Sequence, residues 1–596
     1  MSVTDLIKAA AAEAIKEVYG LDLPAAAILV NATKPEFEGD YTIVLFSFVK
    51  QLKKSPDALG QELGAYLQDK HSIVFSGFNV IKGFLNLSLA DSYWYQFLLK
   101  EYQNPKFGLK APNNERVMVE YSSPNTNKPL HLGHLRNNFL GWSIAEILKA
   151  SGYEVAKTCI VNDRGVHICK SMIAWQLFGN GATPESTGMK GDHFVGDYYV
   201  KFNNAYKKEV AELVAGGMTA EAAEKEAPIM KATQQMLVDW EAGKPEVMAL
   251  WQTMNSWVYA GFDTTYKRIG SDFDETYYES KTYLLGKDLV ETGLDKKVFF
   301  QKEDGSVWID LTADGLDEKL VRRKDGTSVY ITQDIGLAEL KQKTFNATQS
   351  IYVVGDEQNY HFKVLKLICQ KLGLPSADGI YHLSYGMVEL PSGKMKSREG
   401  TVVDADDLVD AMIEISRQKT EELGKVKDFT KEELNELYDI IGLGALKFFL
   451  LRVDPRKKMI FNPEESIDFH GFTGPFIQYT HARIKSILRR SAEAAAATAP
   501  INGYQLPLLP LEKELTIALE TFPSVIAEAA QEHDPSKLAI YIFNLAKTFN
   551  SFYTEHSISN AENEEKKGLR LQQSRLTAQV IQTGMGLLGI KVPERM

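Results

Sequence analysis

The sequence predicts an α/β protein whose centre is a doubly wound parallel sheet, with a small α+β domain before it and an all-α domain after it. A β-loop-helix-β unit begins at Val117, where the strand pattern VMVEYS is followed by a helix from about His131 and by a second strand, EVAKTCIV. Strand and helix patterns alternate again up to about residue 390, and after Lys396 the pattern is almost wholly helical. A chain of 596 residues has room for about four domains.

Residues 1–110 are predicted to form the small α+β domain. An amphipathic helix over residues 1–20 is followed by the alternating runs TIVLFSFV and VIKGFLNLSL. Asp5, Glu13 and Glu17 lie where a signal peptide is apolar and a transit peptide is poor in acidic residues. We therefore expect the protein to be cytoplasmic.

Residues 111–400 are predicted to carry the doubly wound sheet. From about 166 to 320 the alternation of strands and helices is interrupted by charged helical sequence, which predicts an inserted subdomain. Ligands of such sheets bind beyond the carboxyl ends of the strands, where the strand order reverses. We expect the functional residues at that edge.

The remainder is predicted to be helical, as a connection over residues 401–470 and an all-α domain over residues 471–596. One predicted helix of that domain carries the basic residues Arg483, Lys485, Arg489 and Arg490. Such a cluster is typical of an RNA-binding surface and also of an ordinary solvated helix face. Alone it does not distinguish between these two interpretations.

Composition excludes several classes of protein. A net charge of −11 is not that of a general polyanion-binding protein. The longest apolar run is too short to cross a membrane and contains Lys447, so we expect no membrane partner. The cysteines have no CxxC spacing, which argues against a disulfide framework and a thiolate zinc site; they are Cys159, Cys169 and Cys369.

The segment SSPNTNKPLHLGHLRNN, between the first strand and its helix, has the features of a phosphate site. A helix N-terminus attracts anions, Gly133 permits their close approach, and the imidazoles of His131 and His134 can donate hydrogen bonds. A histidine near a helix end is often only a cap, and His-x-x-His is also the spacing of a metal pair. The strand-to-helix setting and the nearby Lys128 favour phosphate, and we expect no protein-bound metal.

A second cationic segment, PSGKMKSREG, follows the predicted strand IYHLSYGMVEL and carries Lys394, Lys396 and Arg398. A mobile cationic loop can neutralise the charge that develops on leaving pyrophosphate. By itself it is also typical of a solvated hairpin. The two segments indicate a function only together, around one interrupted sheet.

Together they resemble the signatures of class I aminoacyl-tRNA synthetases. His131-Leu132-Gly133-His134 resembles the HIGH signature, and Lys394-Met395-Lys396-Ser397-Arg398 resembles the KMSKS loop. Over essentially the whole chain the sequence is similar to the arginyl-tRNA synthetase family, in the segments VEYSSPNTNKPLHLGHLRNN, DGTSVYITQDIGLAEL, VVGDEQNYHF, GPFIQYTHARI and LLGIKVPERM.

The resemblance implies an architecture and a reaction. It implies a Rossmann-type catalytic domain with an insert, an N-terminal domain that contacts the tRNA elbow, and a helical anticodon-binding domain. The reaction it implies is ATP-dependent ligation of L-arginine to tRNA(Arg) through arginyl-adenylate, with ATP as its Mg²⁺ complex. We expect a monomer. The alternatives are another synthetase with a HIGH signature and a catalytically inactive RNA-binding protein of the same fold.

Residue by residue, the resemblance implies a catalytic set of Lys128, His131, His134, Lys394 and Lys396. It implies ATP binding by His131, Gly133, His134, Lys394 and Met395. His361 lies near adenosine or only begins the next helix. For tRNA, the implied contacts are Gln478, Tyr479, Arg483 and Met596.

A guanidinium group needs acceptors in a fixed planar geometry, ideally a carboxylate. Glu120 ends the first strand and Asp334 and Tyr330 lie near the end of a later one, so we expect them to point into the crevice. The resemblance implies Asp334 and Tyr330 as guanidinium ligands with Gln358 nearby, and Glu120 and Asn125 as ligands of the α-amino and backbone groups. A helix-capping role for Asp334 and a core position for Tyr330 are the alternatives.

Two positions depart from the family pattern. Ser397 replaces the second lysine of KMSKS, and we expect Lys128 to compensate; Arg164 stands where many members of the family have tryptophan. The run KGDHFVGDYYVKF, with Asp192, His193 and Asp197, has metal-ligand residue types, but we expect structural polar contacts there.

Overall fold

The computed structural model describes residues 2–34, 36–375, 377–389, 391, 403–424, 428–494 and 506–596. Its N-terminal part is a four-stranded antiparallel sheet covered by helices. The elements are α1 (Val3–Tyr19), β1 (Val30–Ala32), β2 (Tyr41–Val44), α2 (Phe46–Leu52), α3 (Pro56–Lys70), β3 (Phe75–Ile81), β4 (Phe84–Leu89) and α4 (Asp91–Glu101). The strand order is β1-β2-β4-β3, and Ile7, Leu63 and Trp94 are buried in a core of this part's own. This is the predicted α+β domain.

The next stretch begins the central sheet and contains most of the helices predicted as an insert. In chain order the elements are β5 (Arg116–Glu120), α5 (Leu132–Ala150), β6 (Glu154–Val161), α6 (Val166–Phe178), α7 (Pro184–Thr187), α8 (Gly191–Ala215), α9 (Ala220–Glu226), α10 (Pro228–Glu241), α11 (Pro245–Ile269), β7 (Glu275–Tyr278), α12 (Glu279–Thr282), α13 (Lys287–Asp295), β8 (Phe300–Gln301), β9 (Val307–Ile309) and β10 (Lys319–Arg322).

The predicted insert over residues 166–320 is not continuous. After α11 the chain returns to the central sheet as β7, which pairs in parallel with β6, before it forms a separate antiparallel sheet of β10, β9 and β8. A strand of four residues inside charged sequence has too weak a pattern to be recognised, which is why the sequence analysis missed it.

The second half of the sheet and the connection follow. The elements are α14 (Tyr330–Phe345), β11 (Gln349–Gly355), α15 (Asn359–Leu372), β12 (Ile380–Tyr385), β13 (Val388–Glu389), α16 (Ala405–Leu423), α17 (Lys431–Leu451), β14 (Met459–Ile460) and α18 (Pro463–Ser466). The expectation that Tyr330 and Asp334 lie near a strand end is wrong, because the helix already begins at Tyr330. Ile331 and Ile335 are both buried and four residues apart, which makes them one face of that helix.

The central sheet has five parallel strands in the order β12-β11-β5-β6-β7. The chain runs outward from β5 through β6 to β7 and then crosses to the other side of β5 for β11 and β12. The order therefore reverses between β5 and β11, and the switch-point crevice lies at their carboxyl ends. The predicted doubly wound α/β fold is confirmed.

The C-terminal part is helical, as predicted, with α19 (Gly474–Ala494), α20 (Pro510–Glu520), α21 (Phe522–Glu532), α22 (Pro535–Glu555) and α23 (Glu564–Leu587). It packs directly against α5. The Ser143 hydroxyl of α5 donates to the Leu587 carbonyl at 3.0 Å. The neighbouring α17 is joined to the same part, because its Lys447 ammonium donates to the Gly589 carbonyl at 2.7 Å. The C-terminal helices thus pack against α5, the helix that begins at the two histidines.

Among the described residues, no helix is both long enough and apolar enough to cross a membrane.

Candidate active site

His131 and His134 lie at the start of α5, beyond the carboxyl end of β5. His131 is the residue that caps the helix: its Nδ1 accepts a hydrogen bond from the Gly133 N–H at 3.1 Å. The His134 Nδ1 accepts from the His131 N–H at 3.2 Å, and the two ring centroids are 3.9 Å apart. A Cβ atom on Gly133 would lie 3.0 Å from the His131 ring, so a larger residue would have to displace that ring slightly.

Burial keeps both imidazoles neutral. Burial and the charge of Lys128 lower the pKa of His131 to about 3. Burial, with His131 and Lys128, also holds the pKa of His134 well below its usual value. Because Nδ1 of each ring accepts a backbone N–H, the proton of each neutral ring is on Nε2. Each histidine therefore offers one uncharged N–H donor.

Lys128 brings positive charge to these histidines. Its side chain is half-buried, burial lowers its pKa, and within the described part of the chain no carboxylate pairs with it. A cavity of about 160 Å³, which we call the Lys128 cavity, is lined by residues that include Lys128, His131, His193, Asp197 and Asp404. A partly desolvated cation without a partner is stabilised by an incoming anion.

The segment that follows the predicted cationic loop packs on the histidines. The Leu132 N–H donates to the Val403 carbonyl at 3.1 Å, and the Ala405 N–H donates to the Leu130 carbonyl at 3.0 Å. Asp404 lies opposite His131 in this antiparallel bridge. The chain is thus brought back to the histidines directly after the loop. The predicted loop residues Lys394, Met395, Lys396 and Ser397 lie outside the described residues.

A second cavity, of about 80 Å³, lies beyond the ends of β6 and β7 and against α14. We call it the Asp334 cavity; its lining residues are Ile160, Asn162, Glu279, Thr282, Tyr330, Gln333, Asp334 and Leu337. Glu279 and Asp334 bring two carboxylates to this small space. Tyr330 is 73% exposed and lies at the rim, so the alternative of a core position is wrong.

The charges of the Asp334 cavity favour a cation. Burial raises the pKa of Glu279; the Arg164 guanidinium opposes this, and the negative charges of Asp163 and Asp334 add to it. Two like charges in a partly buried space are stabilised by a positively charged ligand between them. Glu279 is not among the residues predicted from the sequence, because the strand before it, β7, has too short a pattern to be recognised. Its position directly after a strand of the sheet is the signal that marks it.

His361 is in the first turn of α15, and its Nε2 lies 2.6 Å from the Asp334 carboxylate. His361 thus lies at the start of the helix with its side chain on the Asp334 side of the crevice, and its position near adenosine stays a prediction. Gln358 is exposed just before the same helix, and it does not line the Asp334 cavity.

The two residues predicted at the α-amino group have different environments. Asn125 is exposed and forms a backbone bridge with Asn162, which lines the Asp334 cavity. Glu120 is 5% exposed, forms a short ion pair with the buried Lys341, and does not line the cavity. Lys341 and Thr158 both contact the same oxygen, Oε2, of Glu120, and the role of Glu120 as a ligand stays a prediction.

Arg164 and Asp163 support the wall that carries Glu279. The Arg164 guanidinium lies 4.1 Å from the ring centroid of Tyr283 and forms a 3.0 Å ion pair with Glu241. Asp163, which is buried, accepts hydrogen bonds from the Ser280 N–H at 2.8 Å and from the Ser280 hydroxyl at 2.7 Å. These contacts fix the start of α12 and hence the position of Glu279.

The residues predicted to contact tRNA lie on or near α19. The Arg483 guanidinium lies 4.9 Å from the ring centroid of Tyr479, and both side chains are partly exposed. The chain end reaches the same helix, where His481 Nδ1 lies 3.0 Å from the Pro593 carbonyl; Met596 is three residues further on. Gln478 is fully buried, so the prediction that it contacts tRNA is corrected.

The Gln478 side chain has a structural role instead. Its amide group donates to the carbonyls of Ile440 at 2.9 Å and Lys591 at 2.8 Å, and so joins α17 to the C-terminal segment.

In the described ranges, one cluster has the spacing of metal ligands: atoms of Asp192, His193 and Asp406 lie within 4.8 Å of one another. The Lys190 ammonium lies 3.0 Å from Asp192 and 2.6 Å from Asp406, where it already supplies a cation. The two aspartates form polar contacts with Lys190, and the expectation that the cluster binds no metal stays a prediction. Asp197 lies apart from them, on the wall of the Lys128 cavity.

Comparison with known families gives matches along most of the chain. The family model described as "tRNA synthetases class I (R), catalytic domain" matches residues 96–462. Residues 477–596 match the "DALR anticodon binding domain", and residues 5–89 match the "Arginyl tRNA synthetase N terminal domain".

Individual proteins match over the full length. Curated proteins named arginine–tRNA ligase from Bacteroides fragilis and Flavobacterium psychrophilum are each 53% identical to this chain, and each match covers 100% of both chains. Among solved structures, Thermus thermophilus arginyl-tRNA synthetase is 25% identical with a TM-score of 0.78 and full coverage of both chains. The arginyl-tRNA synthetase of Plasmodium falciparum is 18% identical with a TM-score of 0.77, over 100% of this chain and 99% of the other, and shares the fold.

Proposed function

This chain belongs to the arginyl-tRNA synthetase family and is an ATP-dependent arginine–tRNA ligase, and we propose that its two cavities bind different substrates. The enzyme activates L-arginine with ATP to arginyl-adenylate, with release of diphosphate. It then transfers the arginyl group to the 3′-terminal adenosine of tRNA(Arg), with release of AMP. In the proposal, the Asp334 cavity holds the guanidinium group, and Lys128 and the two histidines hold the phosphates.

The arginine site rests on the two carboxylates of the Asp334 cavity. Glu279 and Asp334 face one small space, and the pKa of Glu279 is raised by its burial. A guanidinium group carries five N–H donors in one plane and can be bound by two carboxylates at once. The proposal adds Glu279 to the expected ligands Asp334 and Tyr330. Asn125, next to Asn162, is proposed for the backbone groups of arginine, and Gln358 for the outer rim.

The phosphate site rests on neutral donors beside a cation. The Nε2–H groups of His131 and His134 are proposed to donate to the phosphoryl oxygens of ATP, while Gly133 gives access to the start of α5. Lys128 is proposed to bind the β- and γ-phosphates, together with Lys394 and Lys396 of the loop. Met395 is proposed to contact ATP, and His361 lies on the opposite side of the crevice, by Asp334. ATP enters as its Mg²⁺ complex, a substrate.

The chemistry needs no protein nucleophile. In the first step, an oxygen of the arginine carboxylate attacks the α-phosphorus in line, and the bond to diphosphate breaks. In the second, the 2′-hydroxyl of the terminal adenosine attacks the activated carbonyl, and AMP leaves. The protein contributes by holding the reactants in line and by placing donors where charge develops on the phosphoryl oxygens.

For tRNA, we propose that Tyr479 and Arg483 contact unstacked anticodon bases by stacking and edge hydrogen bonds, with the chain end at Met596 nearby. The helical domain over residues 471–596 is proposed to bind the anticodon, and the domain over residues 1–110 the elbow. The connection over residues 401–470 is proposed to contact the stem. A monomer in the cytoplasm remains our expectation.

Pyrophosphate exchange tests the assignment against its two alternatives. With tRNA present, exchange across the standard amino acids is expected to depend on arginine alone, and arginine is expected to become attached to bulk tRNA. Exchange with another amino acid would indicate a different synthetase. ATP that binds but is never consumed would indicate an inactive RNA-binding protein.

A further inference from the structure

A partly buried cluster of charged and polar side chains lies apart from the proposed ligands of both cavities. We call it the Asp406 cluster, and its members are Lys190, Asp192, His193, Thr265 and Asp406. It joins the start of α8, the interior of α11 and the first turn of α16. The Asp406 carboxylate lies 2.6 Å from the Lys190 ammonium, 3.2 Å from His193 Nε2 and 3.2 Å from the Thr265 hydroxyl.

The cluster is closely packed where α8 meets α11. Asp192 is fully buried, and its carboxylate forms a 3.0 Å ion pair with Lys190. A Cβ atom on Gly261 would lie 2.3 Å from the Asp192 carboxylate, so α8 and α11 approach as closely as their backbones allow. Removing one member of such a partly buried network lowers the free energy of unfolding, because the remaining charges lose a partner.

His193 connects this cluster to Asp404. The His193 Nε2 lies 3.3 Å from one Asp404 oxygen, while the other oxygen accepts from the N–H groups of Asp406 at 2.8 Å and of Asp407 at 3.2 Å. Asp404 therefore caps α16 and faces the imidazole at the same time. The hydrogen bond to Asp406 raises the pKa of His193 against the effect of burial; Asp404 and Asp192 also raise it, and Lys190 lowers it.

Asp404 is also the residue opposite His131. The hydrogen bonds between Leu132 and Val403 and between Ala405 and Leu130 flank this pair on both sides. His131 and His193 line the same Lys128 cavity. A continuous set of contacts thus leads from the charges of α8 and α11 through Asp404 to the backbone of the histidine that caps α5.

We propose that His193 is a positioning residue for the ATP step: with Lys190 and Asp406 it holds residues 403–406 against Leu130–Leu132 and so fixes the orientation of His131. This inference rests on the proposed role of His131 toward ATP. His193 lines the Lys128 cavity, but the proposal gives it no contact with a reacting atom. It acts through the bridge, and its effect on the reaction depends on the His131 side chain.

The test is a double-mutant comparison in arginine-dependent pyrophosphate exchange with tRNA present. The His193→Ala variant is expected to lower kcat for exchange at least tenfold, with the KM for arginine unchanged within twofold. Transfer from supplied arginyl-adenylate to tRNA, which bypasses ATP, is expected to stay within twofold. His193→Gln, which keeps an N–H donor, is expected to restore most of the exchange rate.

The decisive comparison uses His131→Ala, alone and combined with His193→Ala. If His193 acts through His131, the double variant exchanges no more slowly than His131→Ala, within twofold. Losses that multiply, or equal losses in exchange and transfer, would overturn the inference. If His131→Ala itself exchanged normally, the proposed ATP site would be wrong instead.

Controls separate positioning from folding. Lys207→Met, at an exposed position on α8, is expected to leave both half-reactions unchanged. If His193→Ala is unfolded at the assay temperature, Asp406→Asn replaces it in the same comparison, and the same non-additivity with His131→Ala is expected. Additive losses with this variant would also contradict the inference.

Discussion

The Lys128 cavity and the Asp334 cavity lie at the same edge of one sheet but differ in their charged groups. Of the charged residues that the structure describes, a lysine lines the first together with Asp197 and Asp404, and only carboxylates line the second. In the first, a half-buried ammonium lies near two neutral histidines, and burial lowers its pKa. In the second, two carboxylates share a small space, and burial raises the pKa of Glu279. Burial disfavours the charged forms of Lys128 and Glu279, and a ligand of the opposite charge stabilises each of them. The Lys128 ammonium beside neutral histidines supports the proposed placement of ATP on one side, and the paired carboxylates support that of arginine on the other.

The largest expected effect is on the Asp334 side. Asp334→Ala should lower kcat/KM for arginine by roughly 100-fold or more, as for loss of a partner in a buried charge pair worth about 2–5 kcal/mol. The KM for ATP should change by less than about threefold. The control is Asp317→Asn, an exposed carboxylate on the same part of the chain. Equal losses for arginine and ATP in steady-state kinetics would contradict the division between the cavities.

Glu279→Gln tests the second carboxylate of the Asp334 cavity. Glu279 is the partner whose charge burial disfavours, so its removal should lower kcat/KM for arginine by about tenfold, less than Asp334→Ala. Citrulline, which lacks the positive charge, should inhibit the wild type weakly and discriminate little between the two proteins. An unchanged KM for arginine in this variant would remove Glu279 from the proposed ligands.

On the other side, Lys128→Met should lower kcat/KM for ATP in exchange by about tenfold, while the KM for arginine and the affinity for tRNA stay nearly the same. Because the ammonium is partly desolvated and has no carboxylate partner in the described residues, the melting temperature of the free protein should not fall. A loss of ATP, arginine and tRNA binding together, with a lower melting temperature, would indicate a folding role.

The histidines should not titrate in the neutral range. The pKa of His131 is about 3, so between about pH 5 and 8 the imidazole stays neutral and remains an Nε2–H donor. The pH profile of kcat/KM for ATP should therefore contain no step near pH 6.5 that disappears in His131→Asn. Such a step would mean that the imidazolium form takes part.

The smallest expected effect concerns Glu520, a buried carboxylate away from both cavities. Burial raises its pKa to about 7, and it accepts a hydrogen bond from the Val3 N–H at 2.7 Å. Since the folded state binds this proton more tightly than the unfolded state, the protein loses stability as the pH rises from about 4.5 to 7.

Glu520→Gln keeps the acceptor and removes the charge. At pH 8 it should stabilise the protein by on the order of 1 kcal/mol, with no gain near pH 4.5, as measured by melting temperature. Glu514→Gln, exposed on the same helix, is the control. A gain of the same size at both pH values would show that the carboxylate charge is not its cause.

The features that the sequence predicts correctly are local. His131 and His134 are recognised because the strand, the glycine and the helix start are contiguous in the chain, and the C-terminal helices because their apolar spacing extends over many turns. The doubly wound sheet follows from the same kind of alternation.

The features that it misses depend on distant pairing. Glu120 is neutralised by Lys341, which is 221 residues away, and no local pattern indicates that contact. Gln478 is polar like a surface residue but is buried, because its amide group donates hydrogen bonds to carbonyls of α17 and of the C-terminal segment. Glu279 follows a four-residue strand whose place in the sheet is fixed only by its pairing with β6.

A crystal structure with arginine and a non-hydrolysable ATP analogue tests the central claim most directly. We predict the guanidinium group within hydrogen-bond distance of both Asp334 and Glu279, and phosphoryl oxygens within hydrogen-bond distance of Lys128 and of the histidine Nε2 atoms. An arginine side chain bound elsewhere, or phosphates on the Asp334 side, would contradict the assignment by charge.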